Sequence, residues 1–386
     1  MNDFRYFCPT RIDMGMGNAK QLPELLQSLS IGKSILLVSD PGVVQAGLVE
    51  PIQARLQAAG YRVVLFTEVS PNPRDVECLK GAEYFWEHQA EAVIAIGGGS
   101  AMDTGKAIAL IGRNGGTPTE YVEGKRRYEN VAPIVCVPTT AGTGSEVTRS
   151  AVITEAGTHR KLTLKDAALR PALAVLDPEL TFTMPKSVTA ATGVDALVHA
   201  IEGYTCKVTN PISQALGARA MEIIVSALPE AYHDGCNEKA RYQMLLGSLL
   251  AGLCFGSADV AAVHCLAEAL GGLYDTPHGV ANAVFLPFVL RFNAEENKAL
   301  HAALARYMKF ATTLDSDEKA VDLLINGIKA FTEKLHIPKL RDLPGVRRED
   351  FRKLAKLAME NGSTPSNVRT VTEEDYFLIL EEAYNT

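Results

Sequence analysis

The chain has 386 residues, more than one hydrophobic core usually serves, so two domains are expected. Its hydrophobic content of 47% and a mean hydropathy close to zero describe a soluble globular protein. A net charge of -7, with no basic run longer than Lys125-Arg126-Arg127, argues against nucleic acid or an anionic membrane as a partner.

Seven cysteines, an odd number with no CxxC pair, fit reduced thiols in a cytoplasmic protein better than a disulfide framework. Met1 to Arg5 has neither the basic start nor the apolar core of a secretory signal. Met244 to His264 is the one stretch open to misreading as a membrane span. Ser248, Ser257 and Asp259 interrupt it and much of the rest is Gly and Ala, so a buried core helix is expected there.

Through about residue 185 the chain alternates short β-rich apolar runs with helical periodicity. The runs are Ser34 to Val38, Arg62 to Phe66, Ala92 to Ile96 and Ile134 to Val137. Between them, stretches such as Val43 to Ala59 and Arg74 to His88 carry apolar residues at three- and four-residue spacing. This pattern predicts an α/β domain with a parallel sheet covered on both faces. From Ser187 onward the pattern is helix after helix. The boundary is placed at Met184-Pro185, giving an α/β domain over 1–185 and an all-helical domain over 186–386.

At the end of the first run, Asp40 stands where a carboxylate can accept from the hydroxyls of an adenine ribose; equally, Asp40-Pro41 can cap the next helix. After Ala92 to Ile96 come Gly97, Gly98, Gly99 and Ser100, then Asp103 and Lys106. Glycines at a strand end, followed by a helix N-terminus, let backbone N-H groups approach a pyrophosphate; the alternative is a plain tight turn. The GxGxxG pattern fails at Met102, and the phosphate loop GxxxxGK[ST] fails at Ser100 and Ala107. A second loop, Pro138 to Glu146, follows the next strand and supplies the hydroxyls of Thr139, Thr140, Thr143 and Ser145. Both loops leave the carboxyl ends of parallel strands, where open α/β sheets bind ligands.

The second half holds the most informative set. Asp195 and His199 are four apart and would share one helix face. His264 opens the segment His264-Cys265-Leu266-Ala267-Glu268, and His278 follows in Pro277-His278-Gly279. A single His on an apolar helix is usually a hydrogen-bonded core residue. Here three of eight histidines fall in or beside apolar, glycine-rich stretches, where an unpaired ring nitrogen is costly. An Asp/His3 set suits iron(II) or zinc rather than magnesium or calcium.

These motifs, in this order over nearly the whole chain, resemble the iron-containing (group III) alcohol dehydrogenase family. The resemblance implies a Rossmann-like dinucleotide-binding domain, a helical metal-binding domain, an active site in the cleft between them, and a homodimer. It implies that Asp195, His199, His264 and His278 hold a divalent metal, most often iron(II) and in some members zinc. Gly97, Gly98, Gly99 and Ser100, with Asp103, would cradle the pyrophosphate of NAD; Thr139, Thr140, Thr143 and Ser145 would contact its phosphate, ribose or nicotinamide; Asp40 would meet its ribose. Asn72 and Lys161 also match cofactor-contacting positions. Two departures point to a polar substrate: Glu268 stands where many members carry a second histidine in a proton path, and Ser150 where a bulkier residue is frequent.

The expectation is an NAD(H)-linked, metal-dependent alcohol dehydrogenase or aldehyde reductase for a small, polar alcohol or aldehyde, with His278 and Glu268 at the reacting centre. The rival is a dehydroquinate-synthase-like enzyme that uses NAD transiently without net redox change, which calls for a cluster of cations that the ligand helices lack. A cofactor-binding protein without catalysis would leave the Asp/His3 set without purpose.

Overall fold

The computed structural model describes residues 3–386, which form two compact units. The first comprises Cys8–Thr140 and Gly144–Met184; the second comprises Pro185–Thr386, Ala141–Thr143 and the described residues before Cys8.

The first unit runs β1 (Arg11–Met14), α1 (Leu22–Ser28), β2 (Ser34–Val38), α2 (Pro41–Gln45), α3 (Val49–Ala58), β3 (Arg62–Phe66), α4 (Asp75–Glu87), β4 (Ala92–Gly97), α5 (Gly99–Asn114), α6 (Pro118–Val122), β5 (Ile134–Pro138), β6 (Ser150–Thr154), β7 (Lys161–Lys165) and β8 (Leu173–Leu176). Six strands form one sheet in the order β1-β8-β5-β4-β2-β3, and every pairing in it is parallel. Its apolar runs explain why both faces are covered. Ile35, Leu37, Ile94, Ile96, Val135 and Val137 enter one core. Their neighbours Leu36, Val38, Val93, Ala95, Ile134 and Cys136 enter a second. Alternate side chains of a strand point to opposite faces, so an unbroken Val/Ile/Leu run belongs to a strand buried on both.

The order of strands reverses beside β2, which pairs with β3 on one side and β4 on the other. Such a switch point opens a crevice at the carboxyl ends of the strands. Gly97 of β4 is in register with Pro138 of β5, and Ser39 Oγ donates to the Ile96 carbonyl at 2.8 Å. Asp40 and the two candidate cofactor loops therefore leave three adjacent strand ends.

The second unit runs α7 (Lys186–Thr205), α8 (Pro211–His233), α9 (Glu238–Phe255), α10 (Ala262–Tyr274), α11 (His278–Ala294), α12 (Lys298–Tyr307), α13 (Asp317–Lys334), α14 (Phe351–Met359) and α15 (Glu373–Asn385). Almost all of α7 is buried from Thr189 to Thr205, and α8, α9 and α11 pack against it. An apolar helix buried all round is a core element.

The structure corrects three local expectations. The periodic stretch from Val43 to Ala59 is two helices, parted at Gly47, whose φ of 74° lies in the left-handed region that ends helices. Met244 to His264 is the end of α9 and the start of α10, with a break at 256–261 where Ser257 Oγ folds back onto the Leu253 and Cys254 carbonyls. The short strands β1 and β8 and the antiparallel hairpin β6-β7 were not foreseen. Among the described residues no helix is long and apolar enough to cross a membrane.

Candidate functional site

In the helical unit, three imidazoles converge on one carboxylate. His199 Nδ1 lies 3.9 Å from Asp195 Oδ2, and His264 Nε2 and His278 Nε2 each lie 3.7 Å from Asp195 Oδ1. These separations are too long for hydrogen bonds. Ligand atoms of Asp195, His199 and His264 all lie within 4.8 Å of one another. His278 faces the same carboxylate from outside that tight group, its side chain 38% exposed against 2% for Asp195.

Each element places its residue for a local reason. Asp195 and His199 are one turn apart on α7, His264 sits in the first turn of α10, and His278 begins α11 after Pro277. Gly279 lets α11 reach α7, since a Cβ there would stand 2.3 Å from the Ala191 carbonyl oxygen. Phe255 stacks on the His199 ring, centroids 4.1 Å apart, and fixes its plane.

The buried His199 Nδ1 and His264 Nε2 have no hydrogen-bond partner. Two buried lone pairs with no acceptor role beside a buried carboxylate are costly unless a cation takes them. The set fits a divalent metal, by donor chemistry and by those orphaned atoms. Burial pushes His199 well below the ordinary histidine range, and the charge of His264 adds to this against a bond to the Gly142 backbone. Burial acts the same way on His264, but the Glu202, Asp195 and Glu268 carboxylates outweigh it and hold that ring above the ordinary value.

In the α/β unit, Gly97 has φ of 152°, and a Cβ there would meet Ala101 Cβ at 2.7 Å. A Cβ on Gly98 would meet Thr140 Oγ1 at 3.3 Å, and that buried hydroxyl has no partner. With α5 starting at Gly99, these residues leave a cradle lined by N-H groups and a hydroxyl. Ser100 Oγ donates to the Pro71 carbonyl at 2.6 Å, Thr139 is buried, and Thr143 belongs with the helical unit. Asp40 Oδ1 caps α2 by accepting from Val43 N at 3.1 Å, while its Oδ2 lies beside Gly97. Lys161 Nζ donates to Asn72 Oδ1 and Thr154 Oγ1, each at 2.9 Å.

Residues 9–178 match the family described as iron-containing alcohol dehydrogenase, and residues 189–384 match the C-terminal domain of the Fe-containing alcohol dehydrogenase family. The chain belongs to the iron-containing alcohol dehydrogenase family. It is 39% identical over 356 residues to a 1,3-propanediol dehydrogenase of Citrobacter freundii, covering 92% of each chain. It is 34% identical to an NAD-dependent methanol dehydrogenase of Bacillus methanolicus, covering 98% of this chain and 99% of that one. A solved 1,3-propanediol oxidoreductase superposes with a TM-score of 0.94 at 37% identity, covering 99% of this chain and 100% of that one. The molecule is thus an oxidoreductase of the alcohol and aldehyde pair.

Two features of this alcohol dehydrogenase escaped the sequence reading. Glu202 completes a 195, 199, 202 spacing on one face of α7, which was a usable signal, and its Oε2 lies 2.6 Å from His264 Nδ1. In the α/β unit the buried Lys106 Nζ donates to Ser145 Oγ at 2.7 Å, Thr148 Oγ1 at 3.2 Å and the Ser150 carbonyl at 2.8 Å. Asp103 accepts from Ser145 Oγ at 2.7 Å and Val152 N at 2.9 Å. Burial raises Asp103 and lowers Lys106, and each charge opposes the other's shift. Asp103, Ser145 and Ser150 thereby join a network that ties α5 to the hydroxyl-rich loop and β6.

Proposed function

We propose that this chain is an NAD(H)-linked, metal-dependent alcohol dehydrogenase or aldehyde reductase for a small, polar alcohol or aldehyde. The observation that carries this reading is the convergence of three imidazoles on Asp195, with His199 Nδ1 and His264 Nε2 buried and unbonded. Asp195, His199, His264 and His278 would hold a divalent cation, iron(II) or zinc, which when bound supplies Lewis acidity toward the substrate oxygen. NAD(H) would supply the hydride carrier, as the name of the methanol dehydrogenase relative supports.

The chain's own residues have distinct parts. Gly97, Gly98, Gly99 and Ser100 would take the pyrophosphate on α5, Asp40 the adenine ribose, and Thr139, Thr140, Thr143 and Ser145 the phosphates, ribose or nicotinamide. Asp103 supports this set through Ser145, and Lys161 holds Asn72 in place. His278, the most exposed of the four candidate ligands, would stand nearest the substrate. Glu268, one turn beyond His264 and held by Asn361 Nδ2 at 2.7 Å, would move the alcohol proton or bind a substrate hydroxyl. Residues 1–185 would serve as the dinucleotide-binding domain and 186–386 as the metal-binding catalytic domain. Seven free thiols support a cytoplasmic enzyme, and the family resemblance supports a homodimer.

The test is NADH oxidation by metal-stripped protein given iron(II) or zinc, against C2 to C5 aldehydes both neutral and anionic. Turnover that depends on added metal is expected. Absence of NADH oxidation across the panel with either metal would sink the reading.

A further inference from the structure

We infer that Glu202 is a positioning residue: one buried carboxylate from α7 both starts α10 and fixes the His264 ring so that Nε2 faces the candidate metal set. This rests on the metal site proposed above.

Glu202 is 3% exposed. Its Oε1 accepts from Val263 N at 2.7 Å; its Oε2 accepts from Ala261 N at 2.8 Å and pairs with His264 Nδ1 at 2.6 Å. Helix α10 has Ala261 at its N-cap, a residue with no side chain able to accept from the first-turn N-H groups. Glu202 does that work from another helix, and an anion there also meets the positive end of the helix. Another first-turn donor, Ala262 N, reaches Asn367 Oδ1 at 3.4 Å.

The carboxylate has only acceptors, so the imidazole nitrogen facing it must carry the proton. His264 is thereby held with hydrogen on Nδ1, and its coordinating lone pair belongs to Nε2, the buried atom with no partner that lies 3.7 Å from Asp195 Oδ1. A neutral amide cannot replace this carboxylate. In one orientation Glu202→Gln sets its NH2 against Val263 N-H, and in the other against Ala261 N-H and His264 Nδ1. The second orientation favours the opposite His264 tautomer, with hydrogen on the nitrogen that should bind metal.

The experiment measures zinc affinity by chelator competition on the full-length apoprotein, wild type and Glu202→Gln, with thermal melts of both. In parallel, nitrogen NMR of 15N-histidine-labelled, zinc-loaded wild-type protein reads the protonation of each ring. We expect a hydrogen on His264 Nδ1 with zinc on Nε2, and an affinity loss of about 10- to 100-fold in the folded variant. Wild-type affinity in a folded Glu202→Gln overturns the inference, as does zinc bound through His264 Nδ1. If the variant fails to fold, the wild-type spectrum still decides. Wild-type protein that binds no zinc overturns the metal reading itself, a result distinct from equal binding by both proteins.

Discussion

Asn282 donates its side-chain amide to Asp195 Oδ1 across 2.6 Å, and the same nitrogen lies 3.2 Å from His278 Nε2. One amide thus touches two of the four candidate ligands, from a position one helical turn after His278 on α11. Its carbonyl oxygen is buried without a partner, so Asn282 is kept at a cost. Replacing it by the similarly shaped Leu removes both the donor and the orphaned oxygen. We predict zinc affinity of Asn282→Leu about tenfold weaker, the usual scale for an outer partner of a metal ligand. Apoprotein stability should change by no more than about 1 kcal/mol, because the two losses oppose each other. Competition titration and thermal melting separate the two effects, and an unchanged affinity would reduce Asn282 to packing.

Much of this arrangement was legible in the sequence because its signals were local. Asp195 and His199 share a helix face by spacing alone, and the glycines at 97–99 follow a fully apolar strand. What escaped was set by tertiary contact. The spacing of Glu202 places it on the face of Asp195 and His199, but its partners appear only once α10 packs its N-terminus against it. Strands β1 and β8 are four residues each, and β1 is half-exposed at the sheet edge, so neither offers enough periodicity to distinguish a strand from a loop. The hairpin β6-β7 is held by the buried Lys106 and Asp103 as much as by its own pattern.

Asp40 caps α2 with one oxygen, while its other oxygen lies beside Gly97 at the strand switch point. If the adenine ribose lies at that switch point, as proposed, a carboxylate there would accept from its hydroxyls and repel a 2′-phosphate. Asp40→Gly should raise the ratio of NADP to NAD efficiency by about tenfold or more, equivalent to at least roughly 1.4 kcal/mol of differential binding. Glycine is a tolerable N-cap, so the fold should lose only a few tenths of a kcal/mol. Steady-state kinetics with both coenzymes checks this; an unmoved ratio leaves Asp40 as a cap alone.

Glu146 gives the α/β unit a pH dependence. Burial pushes its carboxyl up to about 7, against smaller opposing effects of its own backbone and Lys106. Its Oε1 has no partner. In the unfolded chain the group titrates near its ordinary value of 4.5, so between about pH 4.5 and 7 the unfolded state has released a proton that the folded state keeps. Stability from this group therefore falls as pH rises through that window, by up to about 1.4 kcal/mol per pH unit, and levels off above it. Glu146→Gln should remove that slope while leaving the rest of the profile. Urea unfolding at several pH values between 5 and 8 measures it, and identical slopes for the two proteins would refute the assignment.

The surroundings of Glu268 make the substitution Glu268→Gln informative. The residue lies one turn beyond His264 on α10, half-buried, with Asn361 Nδ2 donating to its Oε2 at 2.7 Å. A glutamine can still accept that bond through its carbonyl oxygen, so the tie between α10 and the 361–367 segment should survive. Metal content should survive with it, since no candidate ligand is altered. What the amide loses is the capacity to take and return a proton. If Glu268 carries the alcohol proton, turnover should fall by roughly a hundredfold, the usual scale for lost general acid-base help, and the alkaline or acid limb of the rate profile should disappear. A fall in substrate affinity with turnover intact would instead identify a hydroxyl-binding residue. Near-normal kinetics with an unchanged pH profile would mean that Glu268 only packs or orients α10, with Asn361 as one of its partners.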